Sequence, residues 1–239
     1  MVCRAKKCST FKVSQTLKVS LIMFTFIMKT QTKKLEPEQF YHIYNRANGR
    51  ERLFVNEGNY TYFLQKYAEY IHPFAETFAY CLLPNHFHFL IRVRSFEELK
   101  RLKNLQGLED LEGLFSKTLS QQWSNFFNAY TKAFNTQQRR RGNLFQHNFK
   151  RICITNDNYL CQLIYYIHCN PLHHRIATSI DEWKYSSYHV MKSNKDTLLA
   201  RAEVLQIFGG KEKFIEYHSQ SEEHYTNLQG LEDLEGFAI

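Results

Sequence analysis

The sequence predicts an α+β fold: a ferredoxin-like β-α-β-β-α-β antiparallel sheet with an added C-terminal helix that bears tyrosines. Three observations carry this reading. Short runs of β-branched and aromatic residues alternate with longer runs whose apolar residues recur at helical spacing. Two of the apolar runs meet at Pro84-Asn85, the mark of a hairpin. One more helical run, rich in tyrosine, follows the last strand and reaches Asn170-Pro171.

The elements follow in order. Gln39 to Arg46 mixes Phe, Tyr, His and Ile and reads as a strand, closed by the turn residues Asn48-Gly49-Arg50. Asn59 to Ile71 spaces Tyr60, Phe63, Leu64, Tyr67 and Ile71 as one face of a helix, stopped near Pro73. Glu76 to Leu83 and His86 to Arg94 form the hairpin. A long helix from about Leu114 to Phe134 aligns Leu119, Trp123, Phe126, Phe127, Tyr130 and Phe134. Phe149 to Thr155 returns to strand character. Asn156 or Asp157 then caps a helix through about His168, which Asn170-Pro171 ends, leaving Asn170 at a frayed terminus.

Composition bounds the function. The chain has 239 residues, 44% hydrophobic and 15% aromatic, with few Gly and Pro. That is long enough for a core without staples and excludes a disordered chain. A net charge of +8 and a pI near 9.1 favour a polyanionic partner. Arg139, Arg140 and Arg141, then Lys150 and Arg151, interleave with Phe145, His147 and Phe149, as in a surface that tracks a phosphate backbone and stacks bases. Arg46 joins them as a candidate.

The six cysteines (Cys3, Cys8, Cys81, Cys153, Cys161, Cys169) include no C-x-x-C pair and point to a reduced, cytoplasmic setting. Residues 1–35 read as an extension outside the fold. Their apolar patch, Leu21 to Met28, imitates a signal peptide but lacks a cleavage site, runs into Lys29 and Lys33-Lys34, and is too short to span a bilayer. Met28 is the expected natural start. The decapeptide Asn104-Leu105-Gln106-Gly107-Leu108-Glu109-Asp110-Leu111-Glu112-Gly113 recurs letter for letter at Asn227 to Gly236 and reads as two acidic insertions. Residues 36–190 are expected to form the main domain and 191–239 a helical tail.

His86-Phe87-His88 is the most informative triplet. In a strand, alternate side chains share a face, so the two imidazoles project together and form half of a divalent-metal site. On the last helix, Tyr166 and Asn170 are four residues apart and so stack on one face. They can bring a phenol and a carboxamide oxygen to one cation. On physical grounds alone Tyr165 or Tyr159 can stand in for Tyr166. His42 is read as a surface residue, although its strand can neighbour the one that bears His86 and His88. His168, His173 and His174 are expected to meet solvent or phosphate.

The motifs, taken together and in order, resemble the HUH single-strand transposases, and within them the REP-associated tyrosine transposases. The resemblance runs from Phe40 to about Tyr217. It rests on Tyr41-His42-Ile43-Tyr44-Asn45-Arg46, on Phe54 with Tyr60-Thr61-Tyr62-Phe63-Leu64, and on Leu83-Pro84-Asn85-His86-Phe87-His88-Phe89-Leu90. Gly142-Asn143-Leu144-Phe145-Gln146, Phe149-Lys150, Tyr166-Ile167-His168-Cys169-Asn170-Pro171 and Trp183-Lys184-Tyr185-Ser186-Ser187-Tyr188 extend it. The extension and the two decapeptides are the departures.

The resemblance implies a catalytic domain over residues 36–190 that cleaves and rejoins single-stranded DNA, at hairpin repeats, through a 5′-phosphotyrosine. It implies Tyr166 as nucleophile and His86, His88 and Asn170 as ligands of Mg²⁺ or Mn²⁺. The residues themselves would suit zinc as well. Single-stranded or hairpin DNA is the implied partner, with a homodimer open and no membrane. Two other readings remain: a metal-dependent phosphodiesterase that uses water, and a non-catalytic protein that binds hairpin DNA.

Overall fold

The computed structural model describes residues 34–103 and 112–219. The N-terminal extension up to residue 33, nearly all of the first decapeptide and the whole of the second lie outside the described residues. Four strands, β1 (Phe40–Arg46), β2 (Ala75–Leu83), β3 (His86–Val93) and β4 (Lys150–Ile154), form one antiparallel sheet in the order β2-β3-β1-β4. Helix α1 (Glu57–Tyr70) joins β1 to β2. Helix α2 (Phe96–Lys103) and the longer α3 (Glu112–Gln137) lie between β3 and β4, and α4 (Asp157–His173) follows β4. This is the predicted split β-α-β arrangement, with each central strand antiparallel to its neighbours.

The two sheet faces differ because side chains alternate along each strand. Tyr41 and Ile43 on β1 and Phe87, Phe89 and Ile91 on β3 point to one face, where α1 and α3 cover them. The packing there is largely aromatic. Phe63 of α1 meets Phe87 at 5.3 Å and Phe126 at 4.7 Å between ring centroids, both tilted, and Tyr67 stacks on Phe89 at 4.2 Å. The polar ends of these rings are satisfied in place: the Tyr67 hydroxyl lies 2.6 Å from Thr77 Oγ1, and the Tyr130 hydroxyl donates to Leu53 O at 2.6 Å. The six aligned residues of the long helical run, Leu119 to Phe134, are all buried.

Helix α1 starts at a complete capping box, in which the Asn56 side chain accepts from the Asn59 N–H and the Asn59 side chain accepts from the Asn56 N–H. Helix α3 ends on a left-handed residue, Arg139 (φ 51°), where the Arg140 N–H reaches Asn135 O at 3.0 Å in a six-to-one closure.

Helix α4 lies on the other face of the sheet, chiefly against β2. It corrects one expectation. The helix does not end before Pro171 but continues to His173 with Pro171 inside it. Pro171 has no N–H to give Ile167 O and its ring crowds that carbonyl, so the last turn is closed by other groups, His174 N–H to Asn170 O (3.1 Å) and Ile176 N–H to Pro171 O (2.8 Å). Asn170 is therefore held within the helix.

The outer edge of β2 is covered by the segment that follows α4. The Leu82 N–H donates to Tyr185 O, the Ser187 N–H to Tyr80 O, and Trp183 Nε1 to Leu82 O at 2.9 Å. The Trp183 to Tyr188 motif is thus an edge cover that satisfies backbone groups an open strand would leave exposed. Further along β2, the Ala200 N–H donates to Thr77 O. A short helix, α5 (Tyr188–Lys192), carries the chain on.

From Ala202 the chain enters a second compact unit, described to Ser219. There α6 (Arg201–Phe208) and α7 (Lys211–Ser219) turn on Gly209 and Gly210, both at positive φ, and Phe208, Phe214 and His218 pack together. No helix among the described residues is long and apolar enough to cross a membrane. The four described cysteines, Cys81, Cys153, Cys161 and Cys169, are in no disulfide.

Ser187 joins the edge cover to the helix. Its Oγ receives the Tyr80 N–H at 2.8 Å and lies 2.7 Å from His168 Nε2, all in the interior. Ser187→Ala would remove the acceptor of the Tyr80 N–H and the hydroxyl that meets His168 Nε2, and is expected to cost about 1–3 kcal/mol. A urea-denaturation midpoint unchanged from wild type would contradict this role.

Candidate functional site

The β1–β3 register builds the site. Tyr44 pairs with His88 and Arg46 with His86, so these residues and His42 share the sheet face opposite the aromatic core. Helix α4 lowers Tyr166 and Asn170 onto the same face. The His86 and His88 rings stand 5.1 Å apart and perpendicular. The Tyr166 ring meets His88 edge-on at 6.0 Å and His42 at 6.3 Å. Asn170 donates from Nδ2 to Tyr166 O at 3.0 Å, which turns Oδ1 away from the helix. The carboxamide is near enough to the His86 ring to favour its proton, while Oδ1 itself is buried and accepts no hydrogen bond among the described residues. Tyr165, by contrast, interacts with the Cys169 thiol. The four residues singled out as nucleophile and ligands are brought together by β3 and α4.

Each histidine of the pair has a partner at Nδ1. His86 Nδ1 lies 2.7 Å from Asn85 Oδ1, and since a carboxamide oxygen can only accept, the imidazole proton sits on Nδ1 and the lone pair on Nε2. His88 Nδ1 lies 3.1 Å from His42 Nε2. His42 is therefore no surface residue: it is 3% exposed, inside the site. His173 and His174, half-buried and so still in part open to solvent as expected, border the site too. The His174 ring is 4.5 Å from His86, and that of His173 is 5.3 Å from Tyr166. A helix continued past Pro171 would have revealed His173, which is seven residues and two turns beyond Tyr166. His168 faces Ser187 instead.

Burial dominates the electrostatics. It pushes His42 down to about 3 and holds His86 and His88 well below the ordinary imidazole range, with the neighbouring histidines and, at His86, the Arg46 guanidinium acting in the same direction. Neutral imidazoles are metal-binding imidazoles. Among the described residues no group of three or more His, Cys, Asp or Glu is arranged to hold a metal. A cation here would rest on two imidazoles and the Asn170 carboxamide oxygen, a mixed set that suits a divalent ion and does not by itself choose among Mg²⁺, Mn²⁺ and Zn²⁺.

The candidate phosphate-binding residues separate. Arg46 faces the site beside His86, and Lys150, paired with Tyr44 on β4, is on the same face and exposed. Arg151 points the opposite way, where it donates to Ser120 Oγ at 3.2 Å and lies over the Phe149 ring. Arg140 is engaged by Glu51 at 2.6 Å and by Asn135 and Asn143. Arg139 and Arg141 are exposed at the end of α3.

The neutral cluster predicts how stability depends on pH. The unfolded histidines take up protons below about pH 6.5, whereas folded His42 does so only near 3. The folded state thus binds fewer protons in that window, and stability falls as pH falls from 6.5 toward 3, by up to about 1.4 kcal/mol per pH unit for each such group. His86, His88 and His218 add to the same trend. The metal-free protein should unfold at clearly lower urea at pH 5.5 than at pH 7.5. Equal midpoints would show that the cluster is already solvated or charged.

No family model matches the chain. It is 28% identical over 118 residues to a Haemophilus influenzae protein described as a REP-associated tyrosine transposase, an alignment that covers 49% of this chain and 61% of the relative. The chain thus spans less than two thirds of that relative's length. Among solved structures, a REP-associated tyrosine transposase bound to a REP hairpin aligns with a TM-score of 0.46 and 18% identity, over 68% of this chain and 84% of the other. The curated relative carries the name of the family that the motifs of this chain resemble.

Proposed function

We propose that this chain is a transposase that cuts and rejoins single-stranded DNA at hairpin repeats, with Tyr166 as nucleophile. The observation that carries the proposal is the convergence of Tyr166, Asn170, His86 and His88 from two separate elements on one buried patch. The named relative supports the same reading.

In this reading the Tyr166 oxygen attacks the phosphorus of one DNA linkage. The O–P bond forms as the phosphorus–O3′ bond breaks, the phenol gives up its proton, and the departing 3′ oxygen takes one up. A 5′-phosphotyrosine and a free 3′-OH result, and attack by a 3′-OH reverses the step, so rejoining needs no ATP. His86, His88 and Asn170 would hold Mg²⁺ or Mn²⁺, which when bound supplies positive charge against the phosphate oxygens and favours the phenolate form of the nucleophile. Arg46 and Lys150 flank the patch and would hold the adjoining phosphates.

Two experiments test this. Tyr166→Phe removes one oxygen at constant ring volume. It should leave the melting temperature within a few degrees of wild type and abolish the covalent protein–DNA adduct formed with a labelled hairpin oligonucleotide and Mn²⁺, while Tyr165→Phe keeps it. Chelation, His86→Ala and His88→Ala should each lower adduct formation at least about 100-fold. An adduct mapped to Tyr165 or Tyr159 would overturn the assignment, and cleavage with no adduct would indicate attack by water.

The basic residues should divide likewise. Lys150→Ala is expected to weaken hairpin binding several-fold with little change in stability. Arg151→Ala should chiefly lower stability, since its guanidinium is half-buried against α3 and Phe149. The reverse pattern, read by fluorescence anisotropy and urea denaturation, would mean that the two faces of β4 are misassigned.

A further inference from the structure

We propose that His42 is a positioning residue: through its Nε2 it fixes the tautomer of His88, placing the His88 proton on Nδ1 and presenting Nε2 to a divalent cation. The proposal rests on the reading of His86 and His88 as a metal-binding pair and adds the group that makes the second of them competent.

The geometry is the ground for it. His42 and His88 sit on adjacent antiparallel strands with their ring planes within 25° of each other and centroids 5.3 Å apart, and Nε2 of the one is 3.1 Å from Nδ1 of the other. In a pair of neutral imidazoles one ring donates and the other accepts. Two tautomeric arrangements are possible in isolation. If His42 donated, the His88 proton would sit on Nε2, and the nitrogen on the far side of the ring from His42 would have no lone pair to offer. If His88 donates, its Nε2 lone pair faces away from His42.

The sister ligand shows which of the two the site uses. His86 Nδ1 is bound by the Asn85 carboxamide oxygen, which can only accept, so His86 must present Nε2. A shared cation requires the same of His88. His42 does for His88 what Asn85 does for His86, with one difference. Asn85 is the next residue in sequence, whereas His42 is 46 positions away and arrives only through β1–β3 pairing. Tyr44 holds the arrangement from the side, its ring 4.9 Å from His42 and 5.9 Å from His88. Partners of this kind behind a ligating imidazole typically change metal affinity 10- to 100-fold.

The test has two arms. In the metal-free, ¹⁵N-histidine-labelled wild-type protein, long-range ¹H–¹⁵N spectra should show His88 as the Nδ1–H tautomer; an Nε2–H tautomer would overturn the proposal whatever the metal does. In the second arm, Mn²⁺ affinity is measured by electron paramagnetic resonance for wild type, His88→Ala, His42→Phe and His42→Gln, with folding checked by circular dichroism. His42→Phe, which keeps an aromatic ring but no acceptor, should bind Mn²⁺ 10- to 100-fold more weakly. His42→Gln, whose Oε1 can accept from His88 Nδ1, should recover part of the loss. Wild-type affinity in folded His42→Phe, or an equal loss in His42→Phe and His42→Gln, would overturn the proposal. Failure of Mn²⁺ to bind wild type, or equal binding by wild type and His88→Ala, would instead overturn the metal reading, and the spectra would still decide the role of His42.

Discussion

The pairing of β1 with β3 is the constraint on which the rest depends. One register sends Tyr41, Ile43, Phe87 and Phe89 into the aromatic core and sends His42, Tyr44, Arg46, His86 and His88 to the opposite face. Because the side-chain period is two, a slip of one residue would put imidazoles among the rings of Phe63, Tyr67 and Trp123 and turn Phe87 and Phe89 toward Tyr166. Core and candidate site are thus specified by the same hydrogen-bond ladder. The apolar side of β3 is what holds the polar side in place, since each buried Phe contributes about 1.5–3 kcal/mol that a slipped register would forfeit.

Much of this was legible in the sequence, and for identifiable reasons. The alternation of His86-Phe87-His88-Phe89 states both faces of β3 at once, and the spacing of Leu119 to Phe134 states the buried stripe of α3. The four-residue step from Tyr166 to Asn170 was sufficient to choose a helix face. What was not legible depends on contacts distant in sequence or on a rule that was applied too firmly. His42 looks like any strand histidine until β1 is laid beside β3. Pro171 reads as a stop signal, yet the closing hydrogen bonds from His174 and Ile176 carry the helix through it to His173, which the sequence does not state. Lys150 and Arg151 were grouped by charge although adjacent strand residues must face opposite ways, and the alternation rule that found the histidine pair would have separated them as well.

The candidate site carries a cost that the fold has to offset. Three neutral histidines, a carboxamide and a phenol are packed under α4, and Asn170 Oδ1 is buried with no hydrogen-bond donor among the described residues. A buried acceptor without a partner costs on the order of 1–3 kcal/mol. The site face carries several buried polar atoms without a hydrogen bond among the described residues, and the aromatic face is not free of them, since Trp123 Nε1 is one as well. On the site face such atoms are expected where polar groups are kept for chemistry.

The segment after α4 completes the argument, because it determines how that helix is rotated. Tyr166 and His168 are two residues apart and so about 200° apart around the axis. While Tyr166 faces His88 and His42, His168 turns to the β2 edge, where Ser187 Oγ meets it at 2.7 Å and ties it to Tyr80. A rotation of α4 by one residue, about 100°, would present Tyr165 or Ile167 in place of Tyr166 and would pull His168 from Ser187. The hydrogen bond on the far side of the helix therefore selects the tyrosine on the near side. Trp183, anchored to Leu82 O, and Tyr185, stacked on Tyr60 of α1, fix the strip that carries Ser187. The motif after α4 acts on the histidine patch from two sides, through the helix it clamps and through β2, whose edge it covers.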